Sequence, residues 1–278
     1  MKKSRLVVLM TALAVMSALV LAACGGSDDG SSSGDSLSSE LITEGTLTVG
    51  TDTPYRPFEF GEAPDYDGFD VSLVNEIAKR LDLDVKYEDT AFEPIFTDVA
   101  QGKFDLVASA ASITPEREGK VNFSEPYFES AQALVVPTGS DIAEVGDLEG
   151  LTVGAQDGTT GETYANDETA AGEVRGFPSG PATLAALNNG QVEAVLIDDP
   201  VVQDAINQGQ KGFEVATVIP TGEFYGLAMS KNTPALVEAV NGALADMKKD
   251  GGLDKIFQEW FNRPAPTSVT DPKSEKTE

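Results

Sequence analysis

Residues 105–117, Asp-Leu-Val-Ala-Ser-Ala-Ala-Ser-Ile-Thr-Pro-Glu-Arg, end in a cation that could hold a carboxylate. Small residues follow the strand-like start and would let a ligand lie against the backbone. The next residue types are those of a helix start, with a capping hydroxyl at Thr114, a proline at position 115 and an acid at Glu116. Arg117 falls in that first turn, and its guanidinium can bind a carboxylate through two hydrogen bonds. The alternative interpretation is an ordinary strand-to-helix turn with a solvated arginine.

Composition excludes several kinds of chemistry. The 278 residues include no histidine and one cysteine, which excludes Ser-His-Asp and Cys-His catalysis, zinc sites built on imidazole or thiolate clusters, and disulfides within the chain. The net charge of −27, from 19 basic and 46 acidic residues, argues against charge-driven binding to nucleic acid. Composition does not exclude metal sites built from oxygen ligands, but no loop has calcium-binding spacing. We therefore predict no metal, no cofactor and no nucleic-acid partner.

The chain begins with a processing signal. Residues 1–23 have a basic start and an apolar core that is too short for a membrane span, and they end in Leu-Ala-Ala before Cys24. This resembles the bacterial lipoprotein signal, in which cleavage precedes a cysteine that receives a diacylglycerol. The alternative is an ordinary secretory signal with an incidental cysteine. Residues 24–40 are predicted to be the lipidated cysteine and a flexible tether, and residues 265–278 a disordered tail.

Strands and helices alternate between residues 41 and 264, which predicts an α/β fold with mainly parallel sheets. The pattern occurs twice and indicates two lobes of similar build. We predict strands at 47–51, 84–88, 104–108, 151–154 and 192–197. We predict helices at 94–101, 181–189, 234–249 and 253–261. Two further helices are predicted from their first residues: one capped by Asp70 and one that starts at Thr159 or Thr160.

Seven segments, taken in order, resemble the polar amino-acid-binding proteins of ABC importers, including the glutamine-, histidine- and lysine/arginine/ornithine-binding proteins. They are TDTPYRPFEF at 51–60, GFDV at 68–71, AF at 91–92, residues 105–117, NFSEPY at 122–127, GTT at 158–160 and WF at 260–261. The resemblance covers nearly the whole body of the chain.

The resemblance implies a two-lobed periplasmic-binding-protein fold of type II, in which each lobe is a mainly parallel sheet flanked by helices. Residues 41–127 and 227–264 would form lobe 1, and residues 132–222 lobe 2. Two crossovers, near 127–131 and 222–226, would form the hinge.

The resemblance also implies a site for an amino-acid zwitterion. Arg117 would bind the carboxylate, with further donors from the backbone N–H groups of Ser112 and Thr160. The ammonium would be held by the Ser112 hydroxyl, the Ala110 carbonyl and Asp198. Each charged end would thus be held from both lobes, so that the ligand's contacts are completed on closure.

The ligand side chain would lie between Tyr55 and Phe92, with Asp52 at its polar end. Each assignment has a structural alternative: the two rings could be core aromatics, and Asp52 could be an incidental strand end. Asp198 could cap a helix before Pro200, and Asp199 competes with it for the ammonium.

Two departures from the glutamine-binding relatives make strict glutamine specificity doubtful. Gln156 stands near a lysine of those proteins, and Ile197 replaces a histidine. Asp52 and Glu93 would suit a cationic or amide side chain.

The function predicted is that of a monomeric, lipid-anchored receptor on the extracellular face of the bacterial cytoplasmic membrane. It would capture a polar L-amino acid and deliver it to an ABC transporter permease. One alternative is an enzyme on the same fold, similar to the cyclohexadienyl (prephenate/arogenate) dehydratases, with Asp52 or Glu93 as general acid. Another is a ligand-sensing domain for a partner receptor.

Overall fold

The computed structural model describes residues 32–271 of the chain. The predicted signal segment, Cys24, the first part of the predicted tether and residues 272–278 lie outside the described residues. Within residues 32–271, no helix is long and apolar enough to cross a membrane.

The described residues alternate between helices and strands as the sequence pattern predicts. The helices are α1 (Ser32–Glu40), α2 (Phe69–Arg80), α3 (Ile95–Ala100), α4 (Pro115–Lys120), α5 (Thr160–Glu168), α6 (Gly180–Asn188), α7 (Asp199–Asn207), α8 (Pro234–Asp250), α9 (Gly252–Phe261) and α10 (Thr267–Thr270). The strands are β1 (Thr46–Thr51), β2 (Phe60–Glu62), β3 (Asp65–Asp67), β4 (Asp84–Asp89), β5 (Leu106–Val107), β6 (Asn122–Phe123), β7 (Phe128–Pro137), β8 (Thr152–Gln156), β9 (Glu173–Phe177), β10 (Ala194–Asp198), β11 (Phe213–Tyr225) and β12 (Ala228–Met229).

The strands form two five-stranded sheets, one in each lobe. In lobe 1 the order is β4-β1-β5-β12-β6, and β1 is parallel to β4 and β5 whereas β12 is antiparallel to its neighbours. In lobe 2 the order is β11-β7-β10-β8-β9, with β10, β8 and β9 parallel. Apolar residues pack on both faces of each sheet, which is typical of parallel strands covered by crossover helices.

Strands β7 and β11 join the lobes. They pair antiparallel over most of their length, and the ladder runs to Tyr225 opposite Phe128, where both strands meet lobe 1. A cluster of rings packs around these two residues: Phe58, Phe69, Phe257 and Phe261. The hinge is therefore a two-stranded ribbon with an aromatic core at its base.

The structure differs from the predicted tether at residues 32–40, which form helix α1. Leu37 packs against the core and Leu41 is buried. The Glu40 carboxylate accepts the Leu236 N–H at 2.9 Å, which satisfies a free donor in the first turn of α8. Polar composition predicts a tether here, but two leucines and one capping acid hold residues 37–41 against the core.

The structure also differs from the predicted tail at residues 265–271. These residues include α10, whose Val269 is fully buried. Ser268 donates a hydrogen bond to the Glu129 carboxylate on hinge strand β7. A short segment rich in Thr, Ser and Pro is thus ordered by one apolar anchor and one polar contact.

The sequence pattern predicts that Asp70 caps α2, but in the structure Gly68 holds the N-cap position. Asp70 is fully buried in the first turn, and its carboxylate accepts the Ala110 N–H at 2.9 Å and the Tyr127 hydroxyl at 2.7 Å. It therefore links the start of α2 to the chain beyond β5 and to the hinge.

Candidate ligand-binding site

A cavity of about 290 Å³ lies between the two lobes. All eight residues predicted for the site line it: Asp52, Tyr55, Phe92, Ala110, Ser112, Arg117, Thr160 and Asp198. Four further residues complete the lining: Glu59, Ser109, Gln156 and Thr159. The cavity is small for a ligand pocket, so it suits a small molecule.

Arg117 provides a buried cation from lobe 1. It lies in the first turn of α4, where Thr114 caps the helix and accepts the Arg117 N–H at 3.2 Å. The side chain donates to two backbone carbonyls, that of Ser112 at 2.8 Å and that of Gly158 in lobe 2 at 3.0 Å. Burial lowers the pKa of Arg117 to about 10, so the guanidinium is charged at neutral pH.

Asp198 provides a buried carboxylate from lobe 2. It ends β10 and holds the N-cap position of α7, but its side chain makes no capping bond. The carboxylate instead accepts the Tyr55 hydroxyl and the Gln132 amide, each at 2.6 Å. Burial, and then the charge of Glu223, raise the pKa of Asp198 to about 6. Asp199 accepts from Gln203 and does not line the cavity, which favours Asp198 for the ammonium.

Asp52 lies at the side-chain end of the predicted site. It follows β1, and its carboxylate accepts the Gln156 amide from lobe 2 at 2.6 Å. Burial raises the pKa of Asp52 to about 6. Gln156 enters the sequence-based prediction only as a departure from the glutamine-binding relatives, and this contact joins residues 104 positions apart in the chain.

Glu59 is a buried acid that the sequence pattern did not identify. Its carboxyl group accepts the Ser109 hydroxyl at 2.9 Å, and that same hydroxyl accepts the Asp52 N–H at 3.0 Å. Burial and the nearby Asp70 raise the pKa of Glu59 well above its usual range. Glu59 lies between two phenylalanines, Phe58 and Phe60, in a stretch that resembles core, which is why sequence reasoning missed it.

Ala110 and Ser112 lie on the small-residue segment after β5. Ala110 adopts a left-handed backbone conformation (φ 45°), uncommon for a residue other than glycine, and its N–H is held by Asp70. Ser112 pairs with Tyr225 of the hinge strand β11. The small side chains thus let this segment run between the cavity and the hinge.

The two predicted ring residues differ in their surroundings. Phe92 packs edge-on against Phe96 within lobe 1, with ring centres 5.6 Å apart. Tyr55 reaches lobe 2, where a Cβ atom at Gly180 would lie 2.9 Å from its ring. Glu93 is exposed and lines a neighbouring cleft rather than this cavity.

The charges lining the cavity do not balance. At neutral pH the Arg117 cation faces two ionised carboxylates, Asp52 and Asp198, because their raised pKa values of about 6 still lie below 7. A ligand carrying a carboxylate and two cationic groups would pair each of these three charges. Unpaired charges in a buried site are costly, so the arrangement favours such a ligand.

Comparisons with known proteins match most of the chain. Residues 47–263 match the model of the bacterial extracellular solute-binding proteins, family 3. A probable histidine-binding protein of Neisseria gonorrhoeae is 30% identical over 255 residues, which cover 88% of this chain and 92% of that protein.

Two solved structures share the fold at substantial sequence identity. An ancestral arginine-binding protein bound to arginine is 38% identical, with a TM-score of 0.73 over 78% of this chain and 98% of that one. An ancestral amino acid-binding protein, a precursor of cyclohexadienyl dehydratase, is 35% identical, with a TM-score of 0.71 over 78% of this chain and 95% of that one.

Proposed function

Because the chain belongs to the bacterial extracellular solute-binding proteins of family 3, we propose that it captures a polar L-amino acid between its lobes and delivers it to an ABC importer. The observation that carries this proposal is the pair of opposite buried charges in the cavity, Arg117 on lobe 1 and Asp198 on lobe 2. An amino-acid zwitterion supplies the counter-charge to each. Neither charge could be buried beside an uncharged ligand without a large cost.

Closure of the lobes couples binding to shape. Hydrogen bonds already cross between the lobes beside the cavity, from Arg117 to the Gly158 carbonyl, from Tyr55 to Asp198, and from Gln156 to Asp52. A ligand held by groups of both lobes binds the closed form better than the open form and shifts the population toward it. The closed, loaded form is the one that a permease would recognise.

We propose that the side chain of the bound amino acid is cationic. Asp52 is a buried carboxylate whose lobe-2 neighbour is an uncharged amide rather than a cation. The similar proteins named for histidine and arginine support this choice. Glu93, the second acid considered from the sequence, lines the neighbouring cleft and so lies outside this cavity.

The proposal includes a lipid anchor on Cys24, the one cysteine in the chain, at the end of the apolar run of the signal. The mature, monomeric protein would stay at the extracellular face of the cytoplasmic membrane. Mass spectrometry of the membrane-extracted protein tests this, because the mature N-terminus should be a diacylglyceryl-modified Cys24. An unmodified N-terminus at another residue would contradict it.

Calorimetry on the ligand-free protein tests the binding function. The protein is unfolded and refolded to remove co-purified molecules, and is then titrated with L-arginine, L-lysine, L-histidine, L-glutamine, L-cystine and D-arginine. We expect a cationic L-amino acid to bind most tightly, with a dissociation constant of about 1 μM or below, and D-arginine to bind far more weakly. Absence of binding by every amino acid would overturn the proposal.

A second candidate is an enzyme similar to cyclohexadienyl dehydratase, which the match to a precursor of that enzyme keeps open. Asp52, with its pKa raised to about 6, would be the general acid, since Glu93 lies outside the cavity. Incubation with prephenate or arogenate separates the two functions. Formation of an aromatic product would favour the enzyme, and its absence together with amino-acid binding would favour the receptor.

A further inference from the structure

Glu223 is a hinge residue that lies beside the cavity, behind two of its lining residues. It lies on β11 opposite Ser130, directly after a register shift in the ladder between β7 and β11. Gly222, just before it, has a left-handed backbone (φ 69°). The irregularity turns the chain at the point where β11 passes between the lobes, and it places a carboxylate beside both of them.

The Glu223 carboxylate accepts hydrogen bonds from both lobes. One oxygen accepts the Ser112 hydroxyl of lobe 1 at 2.5 Å and the Thr160 hydroxyl of lobe 2 at 2.6 Å. The other oxygen accepts the Thr221 hydroxyl at 2.8 Å and the Gln132 amide at 3.2 Å. Ser112 and Thr160 line the cavity whereas Glu223 does not, so the carboxylate lies behind the two hydroxyl groups.

These bonds have a defined direction. A carboxylate is only an acceptor, so the hydroxyl groups of Ser112 and Thr160 donate their protons in hydrogen bonds to Glu223. The oxygen atoms of both hydroxyls then have only lone pairs left for the cavity. Lone pairs attract an ammonium group and repel a carboxylate.

The same carboxylate is linked to Asp198. The Gln132 amide donates to both acids, at 2.6 Å to Asp198 and 3.2 Å to Glu223. The charge of Glu223 also interacts with Arg117 and Asp198 and raises the pKa of each. Glu223 therefore adds negative potential beside Arg117 and Asp198.

We propose that Glu223 is a positioning residue that makes this end of the site select an α-ammonium group, by orienting the hydroxyls of Ser112 and Thr160. The inference rests on the proposed function, since it concerns how a captured amino acid is recognised. Glu223 would make the site prefer an amino acid over its des-amino analogue. It would do so without contact with the ligand.

The test compares two probe pairs by calorimetry and, for weak binders, by competition. L-arginine is paired with 5-guanidinopentanoate, and L-histidine with 3-(imidazol-4-yl)propanoate; the second member of each pair lacks the α-ammonium. The variant Glu223→Gln removes the charge and can itself donate to a hydroxyl. We expect it to weaken binding of the amino acid about 10-fold or more and leave the des-amino analogue unchanged or tighter.

The matched control is Glu214→Gln, the same change on the same strand. Glu214 is exposed, accepts the Gly139 N–H at 3.1 Å, and lies near the end of β11 that is farther from the hinge. This control should keep the wild-type ratio of the two affinities. A loss of stability alone would weaken both members of a probe pair equally, so the ratio separates positioning from folding.

A second variant, Glu223→Asp, keeps the charge but shortens the side chain by one methylene. It should also lower the ratio, because the shorter carboxylate cannot reach both hydroxyls. In a Ser112→Ala background, Glu223→Gln should change the ratio less than it does in the wild type. If the wild type binds these amino acids and both variants keep its ratio, the inference alone is overturned. If the wild type binds no amino acid, the proposed function fails and the inference fails with it.

Discussion

Arg117 and Asp198 carry opposite charges on opposite walls of the cavity, and each is more than nine-tenths buried. Neither is paired directly with the other: the arginine donates to backbone carbonyls, and the aspartate accepts from a tyrosine and an amide. Neutral dipoles satisfy the hydrogen bonds of a buried ion but only part of its solvation. The remaining cost is what a zwitterionic ligand relieves.

Replacing Arg117 with alanine should weaken amino-acid binding by about 2–5 kcal/mol, because the ligand carboxylate would be buried without a cation. Isothermal titration of the variant measures the loss. Lys120→Ala on the same helix is the control, since Lys120 is exposed and pairs with Glu116. Equal affinity of the Arg117 variant and the wild type would remove Arg117 from the site.

Binding of L-arginine should weaken as the pH falls from about 7 to 5. The pKa values of Asp52 and Asp198 are both raised to about 6 by burial, so protons compete with the ligand's cationic groups below that pH. Each group can cost up to about tenfold in affinity per pH unit. In calorimetry, the affinity of the Asp52→Asn variant for L-arginine should depend less on pH than that of the wild type. A dependence of opposite sign would contradict the proposed cationic side chain.

Helix α6 meets lobe 1 through a glycine. Gly180 is the first residue of the helix, and the ring of Tyr55 packs so closely on it that a Cβ atom would lie 2.9 Å from a ring carbon. Tyr55 also donates to Asp198 at the end of the neighbouring strand β10. The start of α6 is therefore a contact surface for closure.

Gly180→Ala should reduce affinity by about 1–3 kcal/mol, since overpacking forces either the ring or the lobe to move. The loss should appear mainly as less closure, measured by small-angle X-ray scattering with saturating L-arginine. Gly190→Ala is unsuitable as a control because its φ of 67° adds strain; Gly242→Ala, with open space around it in α8, is the appropriate one. An affinity equal to that of the wild type would show that the contact is not needed for closure.

Over the whole molecule, buried acids accumulate beside the hinge and the cavity. Burial raises the pKa of Asp52 and Asp198 to about 6 and that of Asp70 to about 7, from an ordinary value of 3.8. The folded protein therefore holds protons that the unfolded chain has already released. This contribution to stability is fully present below about pH 4 and is lost as the pH rises through 6 and 7.

The melting temperature of the ligand-free protein should therefore fall by several degrees between about pH 5 and pH 7.5. Differential scanning calorimetry across this range measures the slope. Asp198→Asn should flatten the slope, whereas the exposed Asp141→Asn should leave it unchanged. A melting temperature that rises with pH in this range would contradict the raised pKa values.

Local patterns were sufficient for the α/β architecture and for Arg117 as a candidate carboxylate-binding residue. The alternation of apolar runs predicted the sheets, and Thr114 and Pro115 predicted the start of α4, because capping and strand burial depend on neighbours in sequence. The resemblance to amino-acid-binding proteins supplied the site roles of the other seven predicted lining residues, which are Asp52, Tyr55, Phe92, Ala110, Ser112, Thr160 and Asp198. Their placement around a cavity is what the structure adds.

The tertiary structure alone decided which distant groups meet. Gln156 pairs with Asp52 across 104 positions and Ser112 with Glu223 across 111, and Asp70 turned from an expected cap into a buried acceptor. Leu37 has serine neighbours in sequence and meets apolar neighbours only in space. Sequence periodicity indicates which face of a helix or strand is buried. The partner of a buried polar group instead depends on how the elements and the lobes come together.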